Sequence, residues 1–213
     1  PREQLQEVYV SESFLEKCSC REHLEEVGYE VVSDSVFSKI SDTCTPQGVL
    51  CVLKRVLYNM EEMLRDKAPL FLLLENIQDP GNLGTMLRTG EGAGVSGIIM
   101  SRDTVDLYNP KVIRSTMGSI YRVPFYYADD FAAAVHQVQQ AGVSVYAAHL
   151  RGKNSYACQD YTKGTAFLIG NEGNGLREET AELADCYIRI PMEGKVESLN
   201  AAVASSILMY EEH

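Results

Sequence analysis

The sequence predicts an α/β protein whose larger part is a mostly parallel β-sheet, preceded by a smaller α/β domain. One observation is the run Leu70–Leu74, which is apolar at every position. Such a run is typical of a strand that helices cover on both faces of a parallel sheet. The other observation is the alternation of short apolar runs with helical stretches along the chain, which indicates strands joined by helical crossovers.

Residues 1–55 form the smaller predicted domain. Their apolar and helical stretches follow a β-α-β-α-β order. The predicted strands are 8–10, 29–32 and 49–53, and the predicted helices are 13–27 and 34–40. Ser11 or Ser13 can cap the first helix, and Gly28 can end it.

A linker helix over residues 56–68 and a second domain over residues 69–213 are predicted to follow. The linker is charged and helix-prone, and it ends at Pro69. The second domain is predicted to have strands at 70–74, 97–100, 143–148, 166–169 and 186–190, with helices ending near 93 or covering 110–117, 129–140, 176–184 and 198–212. In such folds ligands bind at loops after the carboxyl ends of the strands.

The composition limits which partners we expect. No apolar run approaches the roughly 20 residues of a membrane helix, and the first residues do not resemble a secretory signal, so we expect a cytoplasmic protein and no membrane partner. The six cysteines form no C-x-x-C pair and have no zinc-like spacing to histidine, so we expect reduced thiols and no metal. The net charge of −11 by itself favours a small-molecule enzyme over an RNA-binding protein. A local cluster of arginine and lysine could still bind RNA.

Two glycine-rich stretches have different contexts. Gly92–Gly97 matches G-x-G-x-x-G, but it ends a predicted helix and enters a strand, which is the reverse of a dinucleotide site. We therefore interpret it as a helix end and a turn. Gly170–Leu176 follows a predicted strand and leads into a helix, so its glycines let the backbone approach a flat ligand closely. An ordinary strand-to-helix turn is the alternative.

A third stretch, Ile190–Ala204, runs from a strand end through a Pro/Gly loop to a helix rich in small residues. Together with Asn82–Thr89 and Gly170–Leu176, it resembles the three ordered motifs of SpoU-type (TrmH-like) RNA methyltransferases. The resemblance covers about residues 68–213. It implies a C-terminal deep trefoil knot, a homodimer, and methyl transfer from S-adenosylmethionine to a ribose 2′-OH of RNA.

The first domain resembles the L30e-like RNA-binding domain that precedes many of these enzymes. Asp34–Ser41 and Thr45–Gly48 carry most of this resemblance. That domain usually begins with a further helix, so we expect the one here to be incomplete at its N-terminus. An L30e-like domain favours ribosomal RNA as the substrate.

The resemblance also implies which residues act. The implied cofactor-binding residues are Gly170, Asn171, Ile190, Leu199, Ala148, His149 and Leu150, and the implied catalytic residues are Arg88, Asn82, Glu172, Ser198 and Asn200. Arg88 is expected to hold the 2′-OH and a neighbouring phosphate, since a guanidinium is not deprotonated at neutral pH. Arg114 and Lys111 are weaker candidates for RNA contact.

Several of these residues also have a structural alternative, and Asn82 could be a helix N-cap or a turn residue. Arg88 could be a surface arginine paired with Glu91 or Glu75, and Ser198 is a natural N-cap for the last helix. Glu172 could orient Arg88, hold Asn82, or be a solvated loop carboxylate. For the whole chain, the alternatives are a tRNA 2′-O-methyltransferase, a non-catalytic RNA-binding protein with the same fold and, more remotely, a small-molecule dehydrogenase.

Overall fold

The computed structural model describes residues 2–19, 21–65 and 68–212, which form two compact units, Pro1–Val56 and Leu57–His213. Within these ranges, no helix combines the length and the apolarity that crossing a bilayer would require. The cysteines at positions 18, 44, 51, 158 and 186 form no disulfide bond within the described residues. Cys20 lies outside the described residues.

The first unit is a small sheet with helices. Its elements are a 3-10 helix (Arg2–Gln4), β1 (Leu5–Ser11), α1 (Glu12–Lys17), α2 (Arg21–Val27), β2 (Glu30–Val32), α3 (Asp34–Ile40) and β3 (Val49–Leu53). The sheet order is β2-β1-β3, with β1 parallel to β2 and antiparallel to β3. Val8, Val10 and Leu24 form the buried core. The predicted order of strands and helices is confirmed in this unit.

One helix prediction in this unit is wrong. The predicted helix 13–27 is divided into α1 and α2, because Cys18 takes an extended backbone conformation at the end of α1. The break lets Phe14 and Leu24, which lie on different helices, pack on the same small core. Ser11 caps α1 by accepting a hydrogen bond from the Phe14 N–H. Of the two candidate caps, Ser11 and Ser13, the first is therefore confirmed.

The second unit contains the large sheet. Its elements are α4 (Met60–Met63), β4 (Leu70–Leu74), α5 (Pro80–Gly92), β5 (Gly97–Ser101), α6 (Pro110–Ser115), a 3-10 helix (Ser119–Tyr121), β6 (Phe125–Ala128), α7 (Phe131–Gln140), β7 (Ser144–Ala148), β8 (Asn154–Ser155), a 3-10 helix (Tyr156–Cys158), β9 (Thr165–Ile169), α8 (Glu178–Ala181), β10 (Cys186–Arg189) and α9 (Ala201–Glu212). The sheet order is β6-β5-β4-β9-β7-β10-β8, and every strand pair in it is parallel.

Helices cover both faces of this sheet, as the apolar run predicted. All five residues of β4 are buried. Leu70, Leu72 and Leu74 pack with α5 and α9 on one face, whereas Phe71 and Leu73 pack with α7 on the other. The strand order reverses between β4 and β9, and the loops after these neighbouring strands therefore lie at a switch point, where ligands bind in such sheets.

Some predicted boundaries need correction. The strands β6 and β8 were not predicted; β8 has two residues, and β6 has four at the edge of the sheet. The predicted helices 176–184 and 198–212 are shorter in the structure, since α8 covers Glu178–Ala181 and α9 covers Ala201–Glu212. The glycine stretch 92–97 forms the end of α5 and the entry to β5, so the interpretation as a helix end is confirmed.

The predicted linker helix over 56–68 is wrong over most of its described length. One turn, α4, is helical, and residues 66 and 67 lie outside the described residues. Met60 and Met63 are buried in the core of the second unit. Burial of these two side chains fixes the segment against the sheet of that unit, so α4 is part of it.

Two helices that matter for the site, α5 and α6, pack through a glycine. A Cβ atom at Gly84 would lie 1.7 Å from the Ser115 Oγ and 2.6 Å from the Ser115 Cβ. Ser115 is fixed there because its hydroxyl donates to the Pro80 and Val112 carbonyls. The close approach therefore depends on a residue without a side chain at position 84.

We expect Gly84→Ala to lower the free energy of unfolding by about 1–3 kcal/mol, the usual cost of overpacking. Denaturant unfolding measures this. Adding Ser115→Gly should restore most of the loss, whereas adding Ser115→Ala should not, because its Cβ remains in the way. Equal unfolding free energies for Gly84→Ala and the unmodified chain would contradict this packing.

Candidate functional site

The loop after β9 is a closed hairpin. Its base is a pair of main-chain hydrogen bonds between Asn171 and Gly175, 3.1 Å and 2.9 Å long. A Cβ atom at Gly170 would lie 2.2 Å from main-chain atoms of Gly175 and Leu176. Gly175 has a φ of +70°, which glycine adopts without strain. The glycines thus allow a tight loop of exposed main chain at the switch point of the sheet.

Glu172 ties this loop to the start of α5. Its carboxylate accepts hydrogen bonds from the main-chain N–H groups of Gln78 (3.1 Å) and Asp79 (3.0 Å) and from the Asn82 side-chain amide (3.1 Å). Partial burial opposes ionisation of Glu172, but these hydrogen bonds outweigh it and lower the pKa of the carboxyl. Of the roles expected for Glu172, the structure shows that it holds Asn82. Within the described residues it makes no contact that would orient Arg88.

Asn82 in turn binds the segment before α9. The Asn200 side chain donates a 2.9 Å hydrogen bond to the Asn82 Oδ1. The Asn200 Oδ1 accepts from the N–H groups of Ala202 (2.9 Å) and Val203 (3.2 Å), so Asn200 caps α9. The alternative in which Ser198 caps this helix is therefore wrong. Residues from all three sequence motifs are joined in one chain of hydrogen bonds.

A second attachment, which was not predicted from the sequence, holds the far end of the β9 loop. Glu75, at the end of β4, is 2% exposed and accepts hydrogen bonds from the Arg177 N–H (2.8 Å) and the Thr180 hydroxyl. The Arg177 guanidinium lies 3.6 Å from Glu75 and also pairs with Asp103. A carboxylate directly after five apolar strand residues was the available signal, since a buried charge requires partners.

A cavity of about 280 Å³ lies between these loops. Segments 148–150 and 169–176 line it, together with residues between 188 and 192 and between 197 and 208. The residues that were predicted to bind a cofactor all line it: Ala148, His149, Leu150, Gly170, Asn171, Ile190 and Leu199. Glu172 and Ser198 also reach the cavity, whereas Arg88, Asn82 and Asn200 do not line it.

The cavity suits a flat, partly apolar ligand. Ile169, Ile188 and Leu208 give it aliphatic walls. Within the described residues, Ser198 and Leu199 make no hydrogen bond, so their main-chain groups remain available to the polar edge of a nucleobase. Pockets of this kind bind small molecules by apolar enclosure with a few polar contacts. The aliphatic walls and these main-chain groups therefore fit the adenosine part of S-adenosylmethionine.

His149 lies at one wall of the cavity as a neutral ring. Burial, and then the charge of Arg151, lower its pKa. Its Nδ1 accepts a hydrogen bond from the Arg151 N–H (3.1 Å), so the ring proton is on Nε2. The ring packs against Tyr187 in a tilted arrangement, with the ring centroids 5.2 Å apart, and Arg151 forms an ion pair with Glu178 on α8. This wall is thus held in place from two directions.

Arg88 is exposed on α5 and lies six residues after Asn82. Across the described part of the chain it has no hydrogen bond or ion pair. The carboxylates proposed as alternative partners are engaged elsewhere: Glu91 binds Arg122 and Ser119, and Glu75 binds Arg177. The surface ion-pair alternative for Arg88 is therefore wrong.

Lys111 and Arg114 are exposed on α6, which packs against α5. Neither side chain has an ion pair within the residues that the structure describes. Most other arginines of this unit are paired with carboxylates, as Arg102 is with Asp129. The same ranges contain no group of three His, Cys, Asp or Glu side chains that could hold a metal ion.

Comparison with known proteins agrees with this geometry. The model of the SpoU rRNA Methylase family matches residues 69–210. The chain is 34% identical over 180 residues to the 23S rRNA (guanosine(2553)-2′-O)-methyltransferase RlmP of Bacillus subtilis. This alignment covers 84% of this chain and 70% of that protein. It is 35% identical to an uncharacterized tRNA/rRNA methyltransferase of Synechocystis sp., over 85% of this chain and 65% of that protein.

A solved structure shares the fold over nearly the whole chain. The AdoMet-bound rRNA methyltransferase from Sinorhizobium meliloti superposes with a TM-score of 0.81 and 31% identity, over 98% of this chain and 79% of that one. The family model covers all three motifs and both strands of the switch point. The chain therefore belongs to the SpoU rRNA methylase family.

Proposed function

We propose that this chain transfers a methyl group from S-adenosylmethionine to a ribose 2′-OH of ribosomal RNA. The observation that carries the proposal is the hydrogen-bonded chain Glu172–Asn82–Asn200. It joins the wall of the cavity to α5, the helix that presents Arg88, which has no ion pair within the described residues. A ligand in the cavity and a polyanion held by Arg88 would then be aligned by one rigid frame.

The cavity would hold the methyl donor through the main chain of Gly170, Ile190 and Leu199. When bound, S-adenosylmethionine supplies a methyl group already activated by a positively charged sulfur. The protein's task is then mainly alignment, which lowers the barrier by holding the reacting groups together. His149 can donate its Nε2–H to the ligand, and Ser198 adds a hydroxyl at the cavity.

Arg88 would hold the ribose 2′-OH and the adjacent phosphate with its planar guanidinium, which binds two oxygens at once. It does not take the hydroxyl proton, since guanidinium remains protonated at neutral pH. The proton would pass to solvent. Asn82 and Glu172 would set the position of α5 and hence of Arg88.

Other features implied by the family resemblance stay predictions: the trefoil knot, the L30e-like identity of the first unit and the homodimer. The cytoplasmic location, which was expected from the composition, also stays a prediction. A tRNA substrate is the second candidate function, since the relative from Synechocystis sp. is described as a tRNA/rRNA methyltransferase.

We expect S-adenosylmethionine and S-adenosylhomocysteine to bind with micromolar or tighter dissociation constants, measured by calorimetry. Gly170→Ala should abolish this binding, because its Cβ would lie 2.2 Å from the main chain of Gly175 and Leu176. Gly194→Ala is the control, since its Cβ would meet nothing closer than 4.0 Å, and it should bind normally. Binding of NAD without binding of S-adenosylmethionine would contradict the proposal and favour a dehydrogenase.

The direct test of the function is methylation of RNA with a labelled donor. Bacterial ribosomal RNA and tRNA are offered separately, and the label is located by mass spectrometry. We expect label on a ribose of ribosomal RNA. Label on tRNA alone would favour the second candidate, and label on a base in either RNA would contradict ribose methylation.

The same assay tests Arg88. Arg88→Ala should lower kcat about a hundredfold or more, because it removes an electrostatic contact to the reacting group, while leaving cofactor affinity unchanged. Arg88→Lys should recover little, since lysine lacks the planar fork. Arg102→Ala, an exposed arginine paired with Asp129, is the control and should keep normal turnover. Near-normal turnover of Arg88→Ala would remove Arg88 from the mechanism.

A further inference from the structure

Met117, in the turn after α6, combines two properties that disfavour a methionine. Its φ is +51°, a left-handed conformation that costs energy for a residue with a side chain. Its side chain is 69% exposed. Within the described residues, Asn76 is the other non-glycine with positive φ, and asparagine tolerates this conformation well. A strained residue that the surroundings hold in place is often functional.

The surroundings do hold this turn in place. The Thr116 hydroxyl donates to the Ile113 carbonyl and accepts from the Gly118 N–H. Ser119 binds Glu91 of α5 through its hydroxyl (2.6 Å). Thr116 and Ser119 are almost fully buried, so the turn is anchored on both sides of Met117. The Met117 side chain is therefore presented to solvent by a rigid turn.

The register of α5 places Arg88 beside this turn. Gly84 contacts Ser115, and seven residues later Glu91 contacts Ser119. Arg88 lies four residues after Gly84 and three before Glu91, which puts it on the same face of the helix. It therefore lies opposite the segment between Ser115 and Ser119, which includes Met117.

The neighbouring charges indicate the kind of partner. Arg88, Lys111 and Arg114 are exposed on α5 and α6, and none of them has an ion pair within the described residues. Met117 is the only large hydrophobic side chain exposed between residues 80 and 149, a range described in full. A single exposed apolar side chain is too small a patch for a protein interface, which buries about 800 Å² on each partner. Exposed cations on two packed helices, with one apolar side chain in the turn that follows, fit a nucleic acid, with its phosphates and the flat faces of its bases.

We propose that Met117 is a substrate-contacting residue whose side chain packs on a nucleobase of the RNA, beside the ribose that Arg88 holds. This inference rests on the proposed function. The thioether is polarizable and packs well on aromatic rings without selecting one base. The strain at position 117 would then be retained because glycine there would lose the contact.

The test compares Met117→Ala, Met117→Gly and Met117→Leu. Binding of fragmented bacterial ribosomal RNA is measured by filter retention without the methyl donor, and KM for the RNA is measured by methyl incorporation. We expect the alanine and glycine variants to weaken RNA binding and raise KM about tenfold, and leucine to stay within about twofold of the unmodified chain. Cofactor affinity should not change. Leu57→Ala, which truncates a side chain that is 90% exposed, is the control.

Thermal melting distinguishes an RNA contact by Met117 from a role of Met117 in stabilising the fold. Met117→Gly removes the strain, so its Tm should be equal or higher while its RNA binding falls, a combination that a purely structural role does not produce. Unchanged RNA binding in the alanine and glycine variants would overturn the inference. A fall in molar mass by light scattering would also overturn it, since Met117 would then be a contact between copies of the chain. Failure of the unmodified chain to methylate any RNA would reject the proposed function, whereas filter binding would still decide the role of Met117.

Discussion

The site depends on three hydrogen bonds that the Glu172 carboxylate accepts from N–H groups. Two of these donors are main-chain groups of the loop after β4, and the third is the side chain of Asn82. Hydrogen bonds to an ionised group are the strong ones, and here they lower the pKa of Glu172 against the effect of burial. One carboxylate thus fixes the loops of the two central strands to each other and supports both the cavity and α5.

The remaining parts of the site follow from this frame. Asn200 continues the chain of hydrogen bonds from Asn82 to the start of α9, and Glu75 fixes the other end of the β9 loop through Arg177. The helix α5 carries the exposed Arg88, and α6, which packs against it, carries the exposed Lys111 and Arg114. A net charge of −11 is compatible with an RNA substrate, because local charge decides the contact. Arg88, Lys111 and Arg114 have no ion pair within the described residues, whereas Arg102, Arg122, Arg151 and Arg177 are paired with acids.

The sequence predicted most of the second unit because its signals were local. The apolar run of β4, the glycines of the 170–176 loop and the motif residues each have a recognisable spacing along the chain. What could not be predicted depends on contacts between distant segments: the bond between Asn82 and Asn200 joins residues 118 positions apart, and Arg177 reaches Glu75 across 102. The left-handed turn at Met117 could not be predicted either, because no residue type around it indicates a positive φ.

The most direct test of this frame is a double-mutant cycle on the methylation rate. Glu172→Ala removes one end of the hydrogen-bonded chain Glu172–Asn82–Asn200. Asn200→Ser removes the hydrogen bond to Asn82 while keeping a hydroxyl that can cap α9. We predict that the two changes together cost less than the sum of the single changes, by about 0.5–3 kcal/mol, and that this coupling disappears when Asn82→Ala is also present. Additive effects with Asn82 intact would contradict the account, because Glu172 and Asn200 would then act independently.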